Sequence, residues 1–144
     1  MSYTIKVHLN QDANPPFALK EQVSWAGAKW ASGGMHEGNQ SFTLTMGDNS
    51  SGGLLCHRVS DGECCFIIIG MNKGKPWCNV VPDLYTTETA TSVRDTFYGK
   101  GFRNIDSVLV EEHQKTTSMG TLVAVKFFKT GGYKLGANVN LFST

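Results

Sequence analysis

The stretch "DGECCFIIIGMNKGKPWCNVV", residues 61–81, carries the pattern that decides the fold. Its run "CCFIII" shows no alternation of polar and apolar residues, which is typical of a strand covered on both faces. The preceding "DGE" is a tight-turn signal that joins this run to the upstream apolar run "LLCHRV". The polar and flexible residues of "GMNKGKP" predict the rim of a site at the end of this central strand.

Further strands are predicted on both sides of this stretch. Residues 3–9 alternate between apolar and polar side chains, which is the pattern of a strand with one solvated face. The small residues of "ASGGMHEGN", residues 31–39, predict a turn, and "GDNSSGG", residues 47–53, predicts a loop. The remaining predicted strands are "LKEQVSW" (19–25), "SFTLTM" (41–46), "SVLVEE" (107–112), "TLVAVKFFK" (121–129) and "YKLGANVNLF" (133–142).

The spacing of apolar residues changes between Pro82 and Tyr98, and this change predicts one short helix. A threonine cap candidate and a glutamate precede Val93, Phe97 and Tyr98, which lie at helical offsets. Because many short strands with glycine-rich turns surround this segment, the sequence predicts an all-β dominated fold. We expect an antiparallel two-sheet β-sandwich with a short helical connection. No repeat, linker or low-complexity tract divides the chain, so we expect a single domain over residues 1–144.

Composition argues against several classes of partner. The formal net charge of +1 provides no field that would gather nucleic acid, and no run of lysine and arginine concentrates charge locally. No apolar stretch approaches the roughly 18 residues of a membrane span. The N-terminus begins directly with strand-like alternation rather than with an apolar signal segment. We therefore expect a cytoplasmic protein with no nucleic-acid partner and no membrane insertion.

The four cysteines and four histidines give no metal-site pattern. Neither Cys-x2-Cys pairs nor closely spaced histidines occur, so we expect no metal and no other cofactor. Without a secretion signal, the thiols are expected to stay reduced and to pack as small hydrophobic groups. The cysteines are Cys56, Cys64, Cys65 and Cys78.

No arrangement of nucleophile, acid and base stands out either. Cys64 or Cys65 with His57 is the best combination of nucleophile and base, but a thiol buried in "CCFIII" would lose reactivity. Glu111 and Glu112 are neighbours on a predicted strand and so point to opposite faces, which argues against a catalytic carboxylate pair. The chain also lacks a nucleotide-binding glycine motif and a nucleophile elbow, so we expect no enzymatic activity.

The loops are rich in amide and hydroxyl side chains close to aromatic residues. Sugar hydroxyls both donate and accept hydrogen bonds, and shallow carbohydrate sites use such side chains beside an apolar ring. The same composition also suits the ordinary turns of a β-sandwich, so it favours carbohydrate binding without establishing it.

Five motifs, in order along the chain, resemble the fungal fruit body lectin family. They are "SYTIKV" (2–7), "WASGG" (30–34), "LTMG" (44–47), "KPWCNVV" (75–81) and "KLGANVNLF" (134–142). In that family the middle motif reads approximately Gly-Val-His-Asn-Tyr-Lys-Arg-Trp-Cys-Asp-hydrophobic-Val. The residues that match it without a gap are Gly70, Lys75, Trp77, Cys78 and Val81. The resemblance implies an actinoporin-like β-sandwich that binds glycans without catalysis.

A first sugar pocket is implied by the resemblance, for a galactose and N-acetylgalactosamine disaccharide of the T-antigen type. At this pocket the family's His-Asn pair is Asn72-Lys73 here, and the tyrosine that follows it is Gly74. The family's serine and glycine of the preceding loop are Asn49 and Ser50. The implied binding residues are Ala31, Ser32, Gly33, Asn49, Ser50, Asn72 and Lys73.

The resemblance also implies a second pocket, which prefers N-acetylglucosamine. There the family's aspartate is Asn79, its threonine is Pro82 and its tyrosine is His113, whereas Arg103 keeps the family's residue type. Val80 completes the implied set. Trp77 and Cys78, which lie between the two pockets in the sequence, are expected to pack and to fix the loop rather than to stack on sugar.

Two other functions stay open. An actinoporin-like pore former would share the fold, but it needs an N-terminal amphipathic segment, and here the first strand starts at Tyr3. A protein-binding sandwich that no longer uses its sugar pockets would explain the departures from the family. Because single sugar sites bind weakly, we expect a homo-oligomer, a dimer or tetramer, that binds glycans of glycoproteins or glycolipids.

Overall fold

The computed structural model describes residues 2–12, 16–36, 39–58, 62–84, 89 and 111–143, with the backbone alone for residues 32–36, 39 and 143. These residues form strands and turns. The strands are β1 Tyr3–Gln11, β2 Ala18–Trp25, β3 Lys29–His36, β4 Asn39–Met46, β5 Ser50–Arg58, β6 Glu63–Asn72, β7 Lys75–Val81, β8 Glu112–Thr116, β9 Thr121–Lys129 and β10 Lys134–Ser143. No helix in the described part of the chain is long and apolar enough to cross a membrane.

The strands form two sheets, which confirms the predicted β-sandwich. One sheet has six strands in the order β3-β4-β1-β10-β9-β8, and the other has four in the order β2-β5-β6-β7. The pairing is antiparallel except at one place, where β1 and β10 pair in parallel, from Thr4 opposite Lys134 to Gln11 opposite Leu141. Both strands lie in the middle of the six-stranded sheet, where each also has an antiparallel neighbour.

The run "CCFIII" is the interior strand β6, as its lack of alternation predicts. Cys65, Ile67 and Ile69 face the main core between the sheets. Phe66 and Ile68 face a second apolar cluster with Leu55 and Trp77 on the other side of the same sheet. Burial on both faces removes the need for polar residues at alternate positions.

The packing role predicted for Trp77 and the cysteines is confirmed. Trp77 is 4% exposed, and its indole lies so close to Gly70 that a Cβ there would be 2.6 Å from Cε2. Glycine at position 70 therefore gives the ring its space. All four cysteines are buried and carry free thiols.

Other boundaries differ from the sequence prediction. The segment 31–36, predicted as a turn, is most of β3, because it pairs with β4 from Lys29 opposite Thr45 to His36 opposite Asn39. The loop predicted over 47–53 is shorter, since β5 starts at Ser50. Of the strand predicted over 107–112, only residues 111 and 112 are described. The observed strand β8 starts at Glu112 and continues to Thr116. Most of the predicted helix between Pro82 and Tyr98 lies outside the described residues.

Candidate functional site

Three tight turns meet at one end of the sandwich. Residues 26–28 join β2 to β3, residues 47–49 join β4 to β5, and residues 73–74 join β6 to β7. The Ser50 hydroxyl donates to the carbonyl of Ala26 at 3.0 Å, which links the first turn to the second. The Asp48 carboxylate accepts the Gly74 N–H at 3.0 and 3.1 Å, which links the second turn to the third. We call residues 26–27, 48–50 and 72–74 the turn cluster.

The third turn has the geometry of a tight β-hairpin. Asn72 pairs with Lys75, so Lys73 and Gly74 alone make the connection. Both have positive φ, 53° at Lys73 and 75° at Gly74. Two such residues in succession form a type I′ turn, whose twist matches that of the flanking strands. Glycine suits this conformation, whereas lysine adopts it at an energetic cost.

Asn49 is the second polar residue of the cluster with a left-handed backbone. Its φ is 57°, a conformation that asparagine tolerates better than most residues. Its Oδ1 atom accepts a long hydrogen bond of 3.4 Å from the Lys73 N–H. The amide of Asn49 therefore lies beside the Lys73 turn, and both residues are exposed. The cluster offers an amide, a carboxylate and an ammonium group to a polar ligand.

The structure brings some, but not all, of the residues implied for the first pocket to this end of the sandwich. Asn49, Asn72 and Lys73 are brought together, and Ser50 is present but buried, with its hydroxyl engaged by Ala26. Ala31 is exposed on β3, opposite Thr43, two residues in from the start of the strand. The backbones of Ser32 and Gly33 continue the same strand.

Asp48 and the Ala26 turn are parts of this site that sequence reasoning missed. The signal at Asp48 is its place beside glycine in "MGDNSS", which is typical of a turn. Its partner Gly74 is 26 residues away, so no local pattern connects the two. The Ala26–Gly27 dipeptide likewise shows no turn motif beyond its glycine, yet φ is positive at both residues.

A second group of implied residues meets where the edges of the two sheets come together. The backbone N–H of Val80 on β7 donates to Nδ1 of His113 on β8 at 3.1 Å. The same N–H is also 2.9 Å from Oδ1 of Asn79. Asn79 and Val80 are buried, while Pro82 and His113 are partly exposed. Arg103, the remaining implied residue, lies outside the described residues.

The environment of His113 favours the neutral imidazole. Its Nδ1 accepts the Val80 hydrogen bond, so in this tautomer the ring proton is on Nε2. Burial lowers the pKa of His113, and the nearby positive charge of Lys115 lowers it further. The arrangement leaves Nε2–H as a donor.

His113 should make the protein less stable in mild acid. An unfolded histidine has a pKa of about 6.5. Because folding lowers the pKa of His113, the unfolded chain binds more protons than the folded chain at a pH below about 6.5. The free energy of unfolding should therefore fall as the pH drops below about 6.5 toward the folded pKa. Urea unfolding at a series of pH values measures this slope. His113→Gln should reduce the slope and Lys115→Ala should reduce it partly, whereas an unchanged slope in His113→Gln would contradict the assignment.

Two of the buried thiols, Cys65 and Cys78, are held in the protonated form. A hydrogen bond with Cys56 and burial raise the pKa of the Cys65 thiol well above its usual range. Burial raises the pKa of Cys78 to about 12. A thiol in this state is not ionised near neutral pH and is a poor nucleophile. Among the described residues, no group of three or more His, Cys, Asp or Glu side chains could hold a metal ion.

Comparison with known proteins connects this chain to lectins. Residues 1–139 match the family described as fungal fruit body lectin. The chain is 31% identical over 141 residues to the Boletus edulis lectin, with 96% of this chain and 98% of that protein covered. Its fold matches the wild-type crystal structure of the Xerocomus chrysenteron lectin with a TM-score of 0.82 and 30% identity, over 98% of this chain and 99% of the other. A substituted form of that lectin gives a TM-score of 0.82 and 31% identity, with 98% of each chain covered.

These matches extend over nearly the whole chain and support carbohydrate binding as its general function. The protein belongs to the fungal fruit body lectin family.

Proposed function

We propose that the protein is a non-catalytic lectin whose turn cluster binds glycan hydroxyls. The observation that carries the proposal is the meeting of Asn49 and Lys73, two exposed polar residues with left-handed backbones, at the end of a rigid sandwich. An amide both donates and accepts hydrogen bonds, and an ammonium group donates up to three. Such groups on fixed turns can match the hydroxyls of a sugar without a deep cavity.

The backbone of Lys73 supports a role for its side chain. A left-handed conformation costs a non-glycine residue about 1–2 kcal/mol, and the neighbouring residue of the turn is already glycine. Glycine at position 73 would remove this cost. A lysine that the chain keeps in an unfavourable conformation is a candidate for function, because strain of this kind collects at ligand sites.

For specificity, we propose that the turn cluster takes a galactose and N-acetylgalactosamine disaccharide of T-antigen type, altered by its own side chains. Lys73 and Asn49 replace residue types of the family pattern and place an ammonium and an amide there. The corner of Val80 and His113 would take N-acetylglucosamine, with Nε2–H of His113 as a donor. Loss or gain of a single hydrogen bond changes the binding free energy by about 0.5–1.5 kcal/mol. These replacements would therefore change which sugar an existing site prefers.

Assembly would be needed for strong binding by such sites. A shallow site held by a few hydrogen bonds has a dissociation constant in the roughly millimolar to micromolar range. Several sites on one particle bind a glycoprotein or glycolipid surface with higher avidity. We therefore propose a homo-oligomer, a dimer or tetramer.

A glycan array with two glycine variants tests the turn cluster. Asn49→Gly and Lys73→Gly each remove a side chain while keeping a residue that favours positive φ, so neither should destabilise the fold. We expect the wild type to bind a defined terminal sugar, and each variant to lose about three- to tenfold in affinity, equivalent to one hydrogen bond.

Lys75→Ala is the matched control, because Lys75 is an exposed lysine two residues from Lys73 and outside the turn. It should bind like the wild type. Equal losses in Lys73→Gly and Lys75→Ala would indicate a general effect of charge. No binding to any glycan by a folded sample would contradict the proposed function as a whole.

A further inference from the structure

The outer face of the six-stranded sheet carries an open groove that is separate from the turn cluster. The groove has a volume of about 390 Å³ and extends over β1, β4, β9 and β10. Its β1 residues Thr4, Lys6 and His8 alternate with the buried Ile5 and Val7, so they point away from the core. Small-molecule sites commonly have volumes of about 300–1,000 Å³. The groove is therefore large enough for one sugar residue and part of a second.

An exposed aromatic ring forms the apolar part of this groove. Phe128 is 55% exposed, and it is the extra residue of a β-bulge, since Gly136 pairs with Lys129 and Ala137 pairs with Phe127. The Phe128 ring lies on the backbone of Gly136, where a Cβ would be 2.2 Å from Cζ. Its other neighbour is the His8 ring, stacked at 5.9 Å between centroids. The ring is thus fixed in place although it faces solvent.

Three lysines line the same groove as the ring. Lys129 pairs directly with Gly136, Lys6 pairs with Gly136 from the opposite side, and Lys134 is a diagonal neighbour of Lys6. All three line the groove, and no carboxylate is among its described lining residues. None of the three forms an ion pair with any residue in the described ranges. The groove is therefore a local concentration of positive charge on a chain with a net charge of only +1.

We propose that this groove binds an acidic saccharide, one that carries a carboxylate or a sulfate. The C–H face of a sugar ring would lie on Phe128, and the anionic group would be held by Lys6, Lys129 and Lys134. Thr4 and Thr43, which also line the groove, supply hydroxyls for the neutral part of the sugar. This inference goes beyond the proposed function, because it assigns a different face and a different class of glycan, and it does not depend on the turn cluster.

Charge favours an anionic ligand over a second copy of the chain. In a two-fold symmetric contact the same patch meets itself, so the lysines of one copy would face those of the other. Like charges placed together across an interface oppose association. An acidic saccharide neutralises the same lysines and covers the exposed aromatic ring.

Calorimetric titration of the full-length protein with three probes tests the proposal. The probes are sialyllactose, sulfated lactose and plain lactose. At about 0.05 M salt, at least one charged probe should bind about tenfold or more tightly than lactose, and the difference should shrink as salt is raised to about 0.5 M. Binding of sialyllactose would identify a carboxylate as the anionic group that the groove recognises, and binding of sulfated lactose would identify a sulfate.

Paired variants locate the binding. The combined change of Lys6→Ala and Lys134→Ala should weaken the charged probe about tenfold, and Phe128→Ala should weaken it as well. The combined change of Lys20→Ala and Lys75→Ala removes the same charge from exposed positions on the other sheet and should have no effect. The combined change of Asn49→Gly and Lys73→Gly should also keep this binding, which separates this site from the turn cluster.

Three results would overturn the proposal. The first is equal affinity for the charged and neutral probes. The second is charged binding that survives loss of Lys6 and Lys134. The third is an oligomer, seen by sedimentation, that dissociates in Phe128→Ala, because the face would then be an interface between copies of the chain.

Discussion

Replacing Glu63 by alanine should lower the free energy of unfolding by about 3–5 kcal/mol, the usual cost of removing one partner of a buried ion pair. Glu63 begins β6 and is 3% exposed. Its Oε2 atom accepts a hydrogen bond from Nη2 of Arg58 at 3.0 Å and another from the Thr121 hydroxyl at 3.0 Å. Its Oε1 atom accepts from the Thr117 hydroxyl. One carboxylate thus joins the β5–β6 hairpin to the β8–β9 turn.

The loss would be large because every group left behind is poorly hydrated. The Arg58 side chain is 12% exposed and lies over the Phe17 ring at 5.0 Å from the centroid, so it could not easily turn to solvent. Thr117 and Thr121 would each lose an acceptor in a buried position. An unsatisfied buried polar group costs about 1–3 kcal/mol.

Glu112→Ala is the matched control for this measurement. Glu112 also pairs with a cation, Lys126 at 3.6 Å, but both side chains are about 70% exposed. Exposed pairs of this kind contribute about 0–1 kcal/mol. Urea unfolding of the two variants should separate them clearly, and a similar small loss in both would contradict the role assigned to Glu63.

Local sequence patterns predicted most strands, because each pattern reports which face of a segment is buried. The absence of alternation in "CCFIII" identified β6 correctly, and alternation over residues 3–9 identified β1. Pairing partners are not encoded locally. The parallel contact between β1 and β10 joins residues about 130 positions apart, and the small residues 31–36 form a strand only because β4 lies beside them.

The candidate site was predictable only in part for the same reason. The resemblance brought Asn49 and Lys73 together before the structure did, but the group that holds their turns is Asp48, whose contact spans 26 residues. The groove around Phe128 gave no signal in the sequence, because its lysines come from three strands and its ring is exposed by a bulge between β9 and β10.

Replacing Asp48 by alanine should weaken glycan binding at the turn cluster by about tenfold or more, which corresponds to about 1.4 kcal/mol. In a two-residue hairpin turn the N–H of the second turn residue has no partner in the strand ladder, and here Asp48 accepts that N–H from Gly74. Without the carboxylate, the turn that carries Lys73 would keep only the long 3.4 Å hydrogen bond from its own N–H to Oδ1 of Asn49 as a link to the preceding turn. The two side chains would then no longer be held in one geometry, and ordering them on binding would cost affinity.

Two further variants distinguish this positioning role from general destabilisation. Asp48→Asn keeps an oxygen acceptor and should restore much of the binding. Asp83→Gly removes a comparable exposed carboxylate, which accepts the N–H of Ser118 at 2.9 Å, and it should leave the turn cluster unchanged. Affinity is measured by titration with the glycan whose binding Asn49→Gly weakens, and stability by urea unfolding. Wild-type affinity in Asp48→Ala would contradict this positioning role. It would show that the two turns hold Lys73 and Asn49 in the binding geometry without the Asp48 carboxylate.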